Sequence, residues 1–206
     1  MTKSPGFSGG FLLYVRYLLT EKFGTQMEAS KHQTTVTGIS RSGIEMIVRF
    51  ETGKNFGYKM TQKDLAGYDN GDAGGKKTYG YGLLYHPNGK AFMQDIKPVW
   101  TQQELEDLYI QTVNKKARKV LEWAKDNGIS LGQNQLDAMV SAVFNFGNKF
   151  LNKSICKVIA NDPNDVSIPK LWSHLSDAQA AKGYRGLKDR RKYEAMVYAR
   201  DIPDFV

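Results

Sequence analysis

Glu51 occupies a position where the sequence pattern calls for an apolar side chain. In "GISRSGIEMIVRFETG" (38–53), Ile44, Ile47 and Val48 fall at i, i+3 and i+4 of a helical repeat, and Glu51 completes the stripe at i+7. A carboxyl on an apolar face either finds partners or takes up a proton. Two further carboxyls, Asp69 and Asp72, lie in the polar, glycine-rich run "YDNGDAGG", whose surroundings favour the ionised form. One carboxyl held neutral and another held charged is the pairing that breaks a glycosidic bond. The first protonates the leaving oxygen, and the second places or activates a water. These residues alone leave Asp69 and Asp72 as alternatives. Plainer roles also exist: Glu51 at a helix end reaching solvent or pairing with Lys54, and both aspartates as ordinary turn residues.

Other chemistries lack their residues. His32, His86 and His174 are scattered, and neither HExxH nor paired-cysteine spacing occurs, so no metal site and no cofactor are expected. A GxSxG nucleophile motif is absent, and "GGKKT" fails the spacing of a phosphate-binding loop. Cys156, in the apolar run "SICKVIA", reads as a small core residue, and a lone cysteine excludes an intramolecular disulfide framework. A net charge of +8 attracts polyanions, an acidic cell wall among them, but no nucleic-acid recognition motif accompanies it. The apolar run "GFLLYVRYLL" is too short to span a membrane and contains Arg16. With only Lys3 before it and no small-residue cleavage site after it, it does not read as a signal peptide.

The elements that must position these groups fall into blocks. Residues 1–37 end in the polar "EASKHQTTVT" and read as an extension or linker without an assigned role. A short helix follows, capped by Ser40 or Ser42 and closed by Thr52-Gly53, with Glu45 and Arg49 spaced to pair at i, i+4. Residues 54–98 are dense in Gly, Asp, Asn and Tyr, which indicates a small hairpin-based sheet. "TQQE" is a capping box, with Thr101 at the N-cap and Glu104 three residues on. It opens a long helix striped by Leu105, Leu108, Tyr109, Val113, Ala117, Val120, Leu121 and Ala124, closed by Asn127-Gly128. Gln133–Phe146 is apolar on most sides and reads as a buried central helix; shorter helices are expected at Ser154–Ala160, Lys170–Leu175 and Lys188–Ala199. The expected architecture is α+β but mainly α. A small β-containing lobe (about 38–100) and a larger helical lobe (about 101–206) are joined by the long helix, with a substrate cleft between them.

Four runs in order, "IVRFETG", "YDNGDAGGKKTYGYG", "QNQLDAMVSAVFNFG" and "GLKDRRKYEAMVY", resemble the phage-type lysozymes, the muramidases found among bacteriophage endolysins. The resemblance covers roughly residues 38–198. It implies a lysozyme-like two-lobe fold with Glu51 as general acid. The family's hairpin pattern D-x-x-G-x-x-T is matched by Asp72, Gly75 and Thr78, which makes Asp72 the working aspartate and the Thr78 hydroxyl a holder of the attacking water. Asp69, directly after Tyr68, is the alternative aspartate. Phe144 and Ser154 fall near positions that line the sugar groove in relatives.

The implied activity is inverting cleavage of the β-1,4 bond between N-acetylmuramic acid and N-acetylglucosamine in bacterial peptidoglycan. The resemblance further implies a monomer made in the bacterial host cytoplasm and acting on the cell wall, without cofactor or nucleic acid. Two features depart from the family pattern. Leu83 stands where a histidine is expected, which removes any salt link that histidine makes, and "TGKNFGYKMTQKDLAG" lengthens the approach to the hairpin. Asp189, Arg190 and Arg191 read as structural ion pairing rather than chemistry. The competing reading is a catalytically inactive module that binds glycan or another polyanion, motivated by Leu83 and by the N-terminal extension. Joint retention of Glu51, Asp72 and Thr78 argues against it.

Overall fold

In the computed structural model the described residues are 36–69, 77–84, 99–183 and 185–203. Most of the N-terminal extension, together with Asp72 and Gly75, lies outside them. The described chain is mostly helical. Helix α1 (Arg41–Thr52) begins at Ser40, whose hydroxyl accepts from the Gly43 N–H at 3.0 Å, and ends at Gly53 with φ of 70°, a left-handed turn that glycine adopts freely. Ser40 is itself anchored. Its N–H donates to Asp137 Oδ1 at 2.9 Å, and its hydroxyl donates to Asp137 Oδ2. The expected Glu45–Arg49 pair does not form. Glu45 instead accepts from Arg41 at 3.2 Å, one turn earlier, while the turn at Gly53 brings Asn55 back to accept from Arg49 at 3.0 Å.

Helix α2 (Gln62–Ala66) carries its own capping box, Thr61 with Asp64, and leads into strand β1 (Tyr68–Asp69). Strand β2 (Lys77–Thr78) pairs antiparallel with it, Tyr68 opposite Thr78 and Asp69 opposite Lys77. The residues between the two strands, Asn70 to Lys76, lie outside the described residues. Tyr79 and Leu83 then form an isolated bridge that closes a tight turn through Gly82.

Helix α3 (Gln102–Asp126) starts at the Thr101–Glu104 capping box and buries Leu105, Tyr109, Val113, Ala117, Val120 and Ala124 along one face. Leu108 and Leu121 flank that face, half-buried. Helix α4 (Gln133–Phe146) is the central element, buried from Gln135 to Val143 and packed against α1, α3 and the last helix. Its first turn is capped from far along the chain. Asp201 accepts from the N–H groups of Asn134 (2.6 Å) and Gln135 (3.1 Å), and only glycine fits at 132 because a β-carbon there would lie 2.3 Å from Asp201 Oδ2. A 3₁₀ turn (Asn148–Asn152) leads to α5 (Ser154–Asn161).

Helix α6 spans Ile168–Ser173 rather than Lys170–Leu175. Pro169 sits in its first turn, where a missing N–H costs nothing. After α7 (Asp177–Ala181), α8 runs Arg185–Ala199, three residues longer at its start than the expected Lys188–Ala199. No described helix is long and apolar enough to cross a membrane.

Candidate functional site

The last turn of α1 delivers Glu51 to a fixed cation. Arg190 Nη1 donates to Glu51 Oε1 at 2.5 Å; the arginine side chain is 4% exposed and the glutamate 25%. Glu51 therefore does not sit in the apolar enclosure that its i+7 position suggested, nor does it pair with Lys54, whose ammonium lies 4.1 Å from the Tyr58 ring centroid.

Arg190 cannot swing away freely. Its Nε donates to Glu194 Oε1 at 3.1 Å, and its Nη2 donates to the Ser141 carbonyl at 3.1 Å and to the Ser141 hydroxyl at 3.2 Å. Glu194 is fully buried; it accepts from Ser141 Oγ at 2.5 Å and Trp172 Nε1 at 3.0 Å, and Arg191 Nη1 lies 2.9 Å away as an ion-pair partner. Two arginines and two glutamates thus balance in charge across α1 and α8. Burial alone pulls Arg190 down, but the charges of Glu194 and Glu51 more than offset it and leave the guanidinium raised. Burial pulls Arg191 down to about 10, which still leaves it charged at neutral pH. The reading of Arg190 and Arg191 as structural ion pairing holds for Arg191 and is incomplete for Arg190, which touches the candidate acid.

Opposite Arg190, the "TYGYG" run passes beside Glu51. A β-carbon built on Gly82 would lie 3.7 Å from Glu51 Cβ and 3.9 Å from Oε2, and Gly82 has φ of 91°. Arg190 engages one carboxyl oxygen, and the other faces this turn. Thr78, 5% exposed, opens the same run in β2. Next to Gly82, the buried Tyr81 accepts from the Gly57 N–H at 2.9 Å and donates to Glu106 at 3.0 Å. Leu83, the departure from the family pattern, is 3% exposed and packed in the core.

Of the remaining expected site residues, Asp69 has its backbone paired in β1, and Asp72 is outside the described residues. Phe144 belongs to an aromatic cluster, its centroid 5.8 Å from that of Tyr109, which in turn lies 4.9 Å from Tyr81. Ser154 is exposed as the first residue of α5 and is not that helix's cap; Lys153 holds the cap position. Among the described residues, no three His, Cys, Asp or Glu side chains gather as a metal site. The contact of Glu51 with Arg190 escaped the sequence because its partners are 139 residues apart. The only trace of it is the adjacent pair Arg190-Arg191 in the charged run "LKDRRKYE".

Comparison with known proteins follows the same lines. The phage lysozyme family model matches residues 62–194, well over half of the chain, beginning after Glu51. No curated protein matches. Among solved structures, the endolysin from Escherichia coli O157:H7 phage FAHEc1 is similar, with a TM-score of 0.56 and 24% identity over 85% of this chain and 96% of that one. At that identity the likeness speaks for the fold. The helical architecture and the family match together place the chain in the phage lysozyme family.

Proposed function

We propose that the protein is a peptidoglycan hydrolase, an N-acetylmuramidase that cleaves the β-1,4 bond between N-acetylmuramic acid and N-acetylglucosamine. The observation that carries this reading is Glu51, fixed at a helix end between Arg190 and the Gly82 turn. Donation requires the neutral acid, with its proton on the oxygen that Arg190 leaves open. As the proton passes to the leaving oxygen, negative charge grows on Glu51, and Arg190 is already in place to receive it. A cation preorganised where charge develops stabilises the transition state more than the ground state.

Asp72 is the proposed partner that activates or places water on the opposite face of the sugar, assisted by the Thr78 hydroxyl. The strand register sets Tyr68, and not Asp69, opposite Thr78, which supports this choice over Asp69. An inverting mechanism then requires the two carboxyls to stand roughly 6.5–9.5 Å apart. The net charge of +8 favours approach to an anionic wall. The deciding experiment digests purified peptidoglycan and identifies the released muropeptides by mass spectrometry. Reducing-end N-acetylmuramic acid is the expected product. Anhydro ends would reassign the enzyme as a lytic transglycosylase, and no release would favour a binding module.

A further inference from the structure

Tyr109 is the buried polar group at this site that the proposed reaction leaves without a task. The residue is fully buried in α3, and its hydroxyl meets no hydrogen-bond partner among the described residues. An unpartnered hydroxyl in the interior is costly, and phenylalanine would fill the same volume without it. The ring is wedged against both holders of the site. Its centroid lies 4.9 Å from that of Tyr81, neighbour of the glycine that abuts Glu51. It lies 5.8 Å from that of Phe144, one turn beyond Ser141, which binds Arg190. Tyr81 is not its partner in this structure; the Tyr81 hydroxyl accepts from Gly57 and donates to Glu106.

The groups acting electrostatically on the phenol from the elements around it are Glu51 of α1, Arg190 of α8, and Tyr81. Burial first, and then the Glu51 charge, push the Tyr109 phenol above its ordinary value, so it stays protonated and available as a donor.

We propose that Tyr109 is a positioning residue for the acid: its hydroxyl donates, directly or through one water, to the Glu51 carboxylate as that carboxylate forms. This rests on Glu51 being the acid. The proton leaves Glu51 for the glycosidic oxygen, the bond from that oxygen to the anomeric carbon breaks, and Tyr109 keeps its own proton throughout. Such a bond favours the ionised form and so eases donation.

The test compares Tyr109→Phe with Glu51→Gln and with Tyr198→Phe, a buried tyrosine whose hydroxyl donates to the Pro163 carbonyl at 2.9 Å. Steady-state kinetics on soluble peptidoglycan fragments across pH are read beside urea denaturation. Loss of one hydrogen bond to a charged group should lower kcat of Tyr109→Phe by about ten- to a hundredfold. KM should barely change, the alkaline limb of kcat should move to higher pH, and the denaturation midpoint should not fall. Tyr198→Phe should show the opposite pattern, lower stability with kcat retained. Unchanged kcat and pH profile in Tyr109→Phe, beside an inactive Glu51→Gln, overturn this inference alone. So does a Tyr109→Phe variant that loses stability as Tyr198→Phe does. An active Glu51→Gln overturns the acid assignment and this inference with it.

Discussion

The bond between Glu51 and Arg190 fixes the sign of what Glu51→Gln does to the fold. A carboxyl stranded on an apolar face would leave the protein unchanged or steadier once its charge was removed. Here the carboxylate neutralises a guanidinium that is 4% exposed, while its own side chain is 25% exposed. Breaking a fully buried pair costs about 3–5 kcal/mol, and exposed pairs contribute about 0–1 kcal/mol. Glutamine keeps a carbonyl that accepts from Arg190, and Arg190 keeps Glu194 and Ser141. The expected loss therefore lies between those limits, about 1–2 kcal/mol. With a urea slope of about 2 kcal/mol per molar, the denaturation midpoint should drop by roughly 0.5–1 M. Wall clearing should fall by about 10²–10⁴-fold in the same sample. Combining Glu51→Gln with Arg190→Gln should cost less than the sum of the two singles, because both remove one interaction. A Glu51→Gln protein that is as stable as wild type, or more so, refutes the coupling.

Asp72→Asn should abolish lysis while Asp69→Asn keeps most of it, both folded by circular dichroism; the reverse ranking moves the water-activating role to Asp69. Burial pushes Asp137 up from its ordinary value against the hydrogen bonds from Ser40 and Gln133. An acid raised in the folded state gives stability that is full below its unfolded value and is lost as pH rises through the folded value. The stability of wild type relative to Asp137→Asn should therefore be highest in acid and decline as pH climbs above the unfolded carboxyl value of about 4, and urea midpoints that show a flat or rising difference reject this. Burial pushes the Cys156 thiol up to about 12, so the native protein should resist alkylation at pH 8 and react once urea unfolds it, as mass spectrometry would record.

The sequence disclosed whatever depends on local periodicity and capping. Thr101–Glu104 and Ser40 cap the helices expected of them, and Gln133–Phe146 is the buried central helix. Short helices were less legible, because the pattern around residues 168–175 spans barely two turns and Pro169 sets the start. Within the site, Glu51 was visible as an acid that broke an apolar stripe. Its cation was not, since local pairing rules end at i+4 and Arg190 arrives from another helix. Tyr109 was concealed for the opposite reason. A tyrosine in a stripe with Leu105 and Val113 reads as packing, and only the unpartnered hydroxyl distinguishes it.

The span between Glu51 and Arg190 also bears on timing during synthesis. The two residues are 139 positions apart, and translation proceeds at roughly 5–20 residues per second, so Glu51 exists for about 7–28 s before Arg190 is made. Asp201, which caps the central helix, is added later still. A growing chain thus carries its acid early but gains the cation and the cap that seat it only later. If the finished enzyme degrades the wall of the cell that makes it, a partly translated chain poses that cell little danger.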